Sequence, residues 1–374
     1  MKILIFNWRD TKNPKSGGAE IVTLEHAKAW VKKGHSVVWF TSGFKNSKKS
    51  EIINGVNIVR RGNFLTVFLF APIFYLYSGQ KFDLVIDEIH GIPFFTPIFV
   101  RKPKIAFIHE VAGEIWDYMF PFPLNKLGKF LEPLYFKFYK NIKFWTDADS
   151  TVDDLIKKGI KKENCIVINC PILNKPLRKL PKKEDFPTFI FVSRVVKMKG
   201  IEEVIRAFFY ILREIKDARL WIVGGGEKSY VEELKETMNS YSISPRVKFF
   251  GQVSEEKKLT LMKKAHILLH ASVKEGWGLV VIEAASMGTP SVVFNASGLR
   301  DSVKNGKTGI VLEENSTKEM AIQAVALIKN NKKYAEFQKN CLKWAGSLTW
   351  EKATSQSLKL LDEVKQQKLN YVFS

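Results

Sequence analysis

The chain has 374 residues, 45% of them hydrophobic and 26% charged, which excludes a disordered protein. It is too long for one ordinary core, so two domains of roughly 150–200 residues each are expected. The formal net charge of +21 is spread over both halves, +12 over residues 1–180 (28 basic, 16 acidic) and +9 over the rest (31 basic, 22 acidic). With no helix-turn-helix, RNP or zinc-finger spacing in the chain, nucleic acid is not the expected partner.

In chain order, short runs rich in Val, Ile and Phe alternate with helical periodicity. "MKILIFNWRD" turns polar after its apolar opening and reads as a first strand, Lys2–Phe6, rather than a signal peptide. "SGGAEIV" (16–22) is a diglycine turn, Gly17 and Gly18, opening a helix; it lacks the third glycine of a dinucleotide fingerprint. Further strands are expected at Ser36–Thr41, Val56–Arg60, Leu84–Asp87, Lys104–Ile108, Lys143–Thr146 and Ile166–Ile168. "FLTVFLFAPIFYLY" (64–77) is too short to span a bilayer. It reads as a helix packed on the sheet. Alternatively, with the basic clusters Lys48–Lys49, Arg60–Arg61 and Lys102–Lys104, it serves an anionic membrane surface.

"IAFIHEV" ends a strand with His109 and Glu110 at the carboxyl edge, where ligands bind in open α/β sheets, although a lone histidine is more often structural. "TDADST" (146–151) has the spacing of a DxD metal motif, but "VDDLIKKG" follows it, and Ser150 with Asp153 reads better as a helix cap. Cys165, Cys170 and Cys341 fit neither a CxxC motif nor a disulfide framework, so a reducing cytoplasm is expected. "NKPLRKLPKKEDFP" (174–187), with three prolines, has the composition of a linker.

The second series of strands is Phe189–Val192, Arg219–Val223, Val247–Phe250, His266–His270, Ser291–Phe294 and Gly309–Leu312. Just past its first strand, "FVSRVVKMKG" sets Arg194 and Lys199 at a helix N-terminus, where the dipole disfavours cations. A diphosphate between them would reverse that sign. "VGGGEKSYVEEL" (223–234) also fails the dinucleotide fingerprint, which disfavours an NAD enzyme. "EGWGLVVIEAASMGTP" (275–290) places Glu275 in a glycine turn, Gly276, Trp277 and Gly278, before a helix from about Leu279 to Gly288 that carries Glu283. Such a turn suits an anion, and its carboxylates suit hydroxyls of a sugar or ribose. The competing reading is an acid helping the dipole and a core glutamate paired with a lysine.

Strands separated by helix-length segments imply parallel βαβ units and an α/β fold. The expected architecture is two doubly wound Rossmann-like domains facing across a cleft. They are an N-terminal domain over 1–173, a linker over 174–187 and a C-terminal domain over 188–354, with a closing helix over about 355–374.

"SGGAEIV", "GHSVVWFT", "SRVVKMKGIEEVIRAF", "LWIVGGGE", "FFGQV" and "EGWGLVVIEAASMGTPSV" occur in an order that resembles the retaining glycosyltransferases of family 4, which have the GT-B fold. The resemblance runs from Met1 to about Trp350, and the Glu-x7-Glu element at Glu275 and Glu283 is its most specific part. "FDLVIDEIHGIPFFTP" (82–97), with the "IHEV" after it, is similar to one branch of the family. By this resemblance Arg194 and Lys199 grip the donor diphosphate, and Glu275 hydrogen-bonds donor sugar hydroxyls. The N–H groups of Trp277, Gly278 and Leu279, in the turn begun by Gly276, hold sugar and phosphate. Glu283 takes the ribose hydroxyls, Gly17 and Gly18 close over the donor phosphate, and His109 serves the sugar and acceptor side. Base recognition is expected around Val253 in "FFGQVS" (249–254). "INCPI" (168–172) stands where the family often has Asn-Gly, and the helix from Trp350 onward resembles the one that crosses back to the first domain.

The expected activity is hexosyl transfer from a nucleotide sugar, UDP- or GDP-linked, to a glycan or lipid-linked glycan, with retention of anomeric configuration. No cofactor and no metal is expected, since Arg194, Lys199 and the helix start at Leu279 can neutralise the departing diphosphate. The expected location is the cytoplasm, with peripheral association at the inner membrane face as an extension. Two other classes compete: a hydrolysing sugar-nucleotide epimerase, which would release nucleotide without acceptor, and a non-catalytic sugar-nucleotide-binding protein, which would bind tightly and turn over slowly.

Overall fold

Ile3, Leu4, Ile5 and Phe6 are all fully buried, as are Phe189, Ile190 and Phe191. Unbroken apolar runs of this kind suit central strands of parallel sheets covered on both faces. Each run opens such a sheet in the computed structural model, which describes residues 1–78 and 81–372, with only the backbone described for 367–372. The chain divides into two units, Met1–Cys170 with Trp350–Ser374, and Pro171–Thr349.

The first unit has eight strands: β1 (Lys2–Phe6), β2 (Ser36–Thr41), β3 (Ser50–Ile53), β4 (Val56–Arg60), β5 (Leu84–Ile89), β6 (Lys104–Ile108), β7 (Lys143–Thr146) and β8 (Cys165–Val167). Their order is β3-β4-β2-β1-β5-β6-β7-β8. All pairs are parallel except β3 with β4. β3 was not among the expected strands. It forms because Asn54 and Gly55, at φ 51° and 85°, make a two-residue hairpin turn whose twist matches its strands.

Four helices of this unit bear on function: α1 (Gly18–Lys32), α2 (Val67–Tyr77), α3 (Leu124–Phe136) and α4 (Asp149–Lys157). α2 lies within the expected 64–77 helix and buries Val67, Ala71 and Tyr75 in the core. Arg60 is a correction to the proposed basic clusters. It is 2% exposed and paired with Asp10 at 2.7 Å and Glu51 at 2.6 Å, so it offers no charge to a membrane. The cap at Ser150 is a second correction: α4 starts at Asp149 with Ala148 as its cap residue, so Ser150 already lies inside the helix.

The second unit has six strands in the order β11-β10-β9-β12-β13-β14, all parallel. They are β9 (Thr188–Val192), β10 (Arg219–Val223), β11 (Val247–Gly251), β12 (Ile267–His270), β13 (Ser291–Val293) and β14 (Gly309–Val311). α5 (Ile201–Glu214) buries Ile201, Val204, Ile205, Phe208 and Ile211, the spacing of one helical face. α6 (Glu255–Lys264) and α7 (Leu279–Ser286) follow β11 and β12.

Segment 174–187 is not a free linker but belongs to the second unit. Leu177 N donates to Ser286 O at 2.9 Å, Glu184 N to Lys264 O at 3.0 Å, and Lys183 Nζ to Thr289 Oγ1 at 2.7 Å. Its prolines and charges mark irregular backbone, and side-chain and main-chain bonds pin that backbone down. The closing helix α8 (Trp350–Val372) starts earlier than the expected 355. Ser357 binds both His26 Nδ1 (2.9 Å) and Trp30 Nε1 (3.0 Å) of α1. Phe373 and Ser374, the end of the expected helix, lie outside the described residues.

Candidate active site

In each sheet the strand order reverses beside the first strand, between β1 and β5 in one unit and between β9 and β12 in the other. Loops leaving adjacent strands at such a point part in opposite directions and open a crevice. In the second unit those loops are 193–200 and 271–278. Val273 N donates to Met198 O at 3.0 Å and Ser272 Oγ to the same oxygen at 3.1 Å, which locks one loop on the other. Lys199 and Glu275 thereby meet, Nζ to Oε1 at 2.7 Å. Burial pushes the Glu275 carboxyl up, but the Lys199 ammonium and His270 outweigh it and hold the group below the usual carboxylate range. Arg194, in the same loop, is exposed, and its backbone is set by Val195 N donating to Gly225 O at 2.8 Å in the triple-glycine turn after β10.

Gly276, Trp277 and Gly278 lead into α7, with Trp277 buried and Gly278 as the cap residue. The first N–H groups of α7, beginning at Leu279, have no intrahelical acceptor, as in any helix start. Glu283 sits one turn inside and pairs with Lys258 Nζ of α6 at 2.9 Å. Burial raises its pKa, and Lys258 opposes that rise. Val253 lies in the loop before α6 and packs half-buried on the same apolar cluster as Val281 and Ala284. The second unit therefore gathers Arg194, Lys199, Glu275 and the 276–279 turn around one crevice, with Glu283, Lys258 and Val253 linked through α6 and α7.

In the first unit Gly17 and Gly18 are exposed at the start of α1. The Gly17 N–H is already used, donating to Glu20 Oε2 at 2.6 Å, while Glu20 pairs with Arg9 at 2.9 Å. His109 follows β6 and is 8% exposed. Its Nδ1 bonds Asp147, and its Nε2 lies 3.4 Å from Glu88 Oε1. His90 Nε2 lies 2.9 Å from the same Glu88 oxygen, and Thr23 Oγ1 donates to Glu88 Oε2 at 2.9 Å. The "DAD" carboxylates diverge, Asp147 buried on His109 and Asp149 exposed. The atoms of Glu88, His90 and His109 lie within 4.8 Å of one another, a set of metal-ligand type, but both nitrogens of His109 face carboxylates in a hydrogen-bonded relay.

The family model for glycosyl transferases group 1 matches residues 175–344, and that for glycosyltransferase family 4 matches residues 16–172. The N-acetyl-alpha-D-glucosaminyl L-malate synthase of Bacillus anthracis is 30% identical over 357 residues, 85% of this chain and 86% of its own. The chain belongs to the family 4 glycosyltransferases.

An uncharacterized glycosyltransferase of Methanocaldococcus jannaschii is 32% identical over 191 residues, so the match spans about half of each protein, 49% of this chain and 47% of that one. The structure of Anabaena HepE in complex with UDP and glucose superposes with a TM-score of 0.73 at 18% identity, over 97% of this chain and 100% of that one, a likeness of fold.

Sequence reasoning about this glycosyltransferase missed Lys258, Glu88, His90 and Asp147, all of which touch a residue it had singled out. Glu88 and His90 stand in the quoted "VIDEIHG", and nothing local marks them as partners of His109.

The charge state of this relay sets a pH dependence. Burial alone would lower the His109 pKa, but Asp147 and Glu88 outweigh it and raise it from 6.5 to about 10. Burial likewise raises Glu88, yet the His109 and His90 imidazoles bring it down from 4.5 to about 2. A folded pKa above the unfolded one stabilises fully below the unfolded value and loses that stabilisation as pH rises toward the folded one. The stability gap between wild type and His109→Gln in urea unfolding is therefore expected to be widest below the unfolded value of 6.5 and to narrow as pH rises from there toward about 10. A gap independent of pH over that range would contradict a charged His109.

Proposed function

We propose that this glycosyltransferase moves a hexose from a nucleoside-diphosphate sugar to an acceptor hydroxyl with retention of configuration and without a metal ion. The observation that carries the proposal is the Lys199–Glu275 pair at the strand-order reversal of the second sheet, beside the exposed Arg194. A cation and a carboxylate 2.7 Å apart can divide one ligand between them, phosphate oxygens to Lys199 and sugar hydroxyls to Glu275. Arg194 and the N–H groups of the 276–279 turn add donors for the diphosphate. Glu283 takes the ribose hydroxyls and the Val253 loop the base. HepE's complex with UDP and glucose supports a nucleotide-sugar ligand.

In the reaction the C1–O bond to the diphosphate breaks and its electron pair stays on the phosphate oxygen. Fixed cations stabilise that charge best because they need no reorganisation as it develops. The acceptor hydroxyl attacks C1 from the same face, and its proton passes to a phosphate oxygen. His109, held as an imidazolium by Asp147 and Glu88, serves the acceptor side as a fixed positive charge at the end of β6, its two N–H groups being committed to those carboxylates.

The test combines EDTA treatment with NMR of the anomeric linkage in the first-formed product. Activity surviving EDTA and a retained linkage are expected; a metal-reversible loss or an inverted linkage would reject the scheme. Glu283→Gln is expected to raise the donor KM about tenfold with kcat unchanged, since ribose contacts are alike in ground and transition states. Steady-state kinetics would reject that role if kcat fell and KM stayed.

A further inference from the structure

α3 exposes Leu124, Leu127, Leu131 and Leu134, and Phe138 just beyond it continues the spacing of three and four residues. An amphipathic helix normally buries such a stripe. Here the buried face is a different one, made of Gly128, Glu132, Tyr135 and Phe136. It is firmly fixed: Gly128 lies so close to Trp116 that a Cβ would come within 2.2 Å of the indole. Glu132 accepts from Gly113 N at 3.2 Å and pairs with Lys158 at 2.9 Å. The leucine stripe is therefore left on the surface by packing, not by fraying.

Between the stripe and Phe95, Trp116 and Phe120 runs a groove of about 460 Å³. That volume falls in the range of small-molecule sites. Its walls are apolar apart from the Tyr135 hydroxyl and the Trp116 N–H, and both are engaged, with Gly91 O at 2.7 Å and Glu132 Oε1 at 3.4 Å. An occupant meets no free hydrogen-bonding group on these walls, which suits a hydrocarbon chain. The segment along it is net basic, although Asp117, next to Trp116 in the wall, is exposed and pairs with Lys129. Residues 122–140 carry four lysines and one acid, Glu132, and that acid is turned inward to Lys158. Lys126, Lys137 and Lys140 are exposed, as are Phe122, Phe130 and Phe138. Exposed phenylalanines among lysines suit the boundary of an anionic lipid layer. Self-pairing of two such helices would instead bring their lysines together. The groove is also built by the loops that carry the histidine relay: Gly91, bonded by Tyr135, follows His90, and Trp116 lies in the segment after His109.

We propose that the acceptor is an anionic lipid whose hydrocarbon chain lies in this groove, with the lysines of the same segment as counter-charge and the acceptor head on the His109 side. The acceptor role rests on the transferase reading; the groove does not. The test is titration calorimetry with monomeric hexyl, decyl and tetradecyl phosphate against inorganic phosphate, alongside melting shifts with nucleoside diphosphates. Affinity is expected to rise about fourfold per added methylene until the groove is filled, with no measurable binding of inorganic phosphate. Leu131→Glu, on an exposed position, should abolish the dependence on chain length and keep both the melting temperature and the nucleotide shift. Binding that is independent of chain length, or unchanged in Leu131→Glu, would overturn the proposal. A dimer in sedimentation that Leu131→Glu dissociates would overturn it too, by giving the groove to a second copy. Wild type that binds long chains yet shifts with no nucleoside diphosphate would keep the groove and remove the acceptor role.

Discussion

Glu275→Gln is expected to lower kcat by about 10²–10³-fold and to move the donor KM little. The carboxylate sits 2.7 Å from Lys199, which together with His270 keeps it ionised despite its burial. Gln keeps the shape and one hydrogen-bond acceptor but loses the charge. An interaction that strengthens as the glycosidic bond breaks appears in kcat, whereas one felt equally by bound donor and transition state appears in KM. Removing one partner of a buried ion pair also destabilises, by about 3–5 kcal/mol when burial is complete. Side chains 13% and 16% exposed, as Lys199 and Glu275 are, should lose less. Steady-state kinetics beside urea unfolding separates the two effects. A raised KM with unchanged kcat would make Glu275 a binding residue only.

The second large effect is steric and tests the crevice itself. Gly200 has φ +73°, and a Cβ there would lie 2.1 Å from the carbonyl oxygen of Ala271, a backbone atom with no room to give. Gly200→Ala should therefore destabilise by about 2–5 kcal/mol, the left-handed backbone and the overlap together. It should also part the 193–200 loop from the 271–278 loop, and so Lys199 from Glu275, and weaken nucleotide binding. Gly251→Ala is the control: its φ is +65° but nothing lies within 4 Å of the added carbon, so the backbone cost alone remains. Urea unfolding of both variants decides the matter, and equal losses would show that the loops do not meet as described.

The strands were legible because parallel strands buried on both faces leave unbroken Val, Ile and Phe runs, and thirteen of the fourteen strands overlap expected ones. The exception, β3, carried a signal that was passed over: Asn54-Gly55 between two strand-like runs is a strong mark of a hairpin. Glu275 and Lys199 were each legible from local context, a glycine turn for one and a helix start for the other. Their 2.7 Å contact was not, since it joins residues 76 positions apart. The relay was harder still. His109 meets Asp147 across 38 positions, and Thr23 meets Glu88 across 65, while Asp147 in isolation looks like half of a metal motif. Burial misled at Arg60, which read as surface charge yet pairs inside with Asp10.

The central claim is that the second unit grips a nucleoside diphosphate through fixed cations. It is tested most directly by titrating the metal-free protein with UDP, GDP and ADP in the presence of EDTA, comparing wild type with Arg194→Ala. Arg194 is exposed, so its loss should leave folding unchanged. A charge-assisted bond to phosphate is worth about 1.5–3 kcal/mol, so at least one nucleotide should bind wild type and bind the variant about tenfold or more weakly. Binding to none of the three, or equal binding to both proteins, would contradict the account.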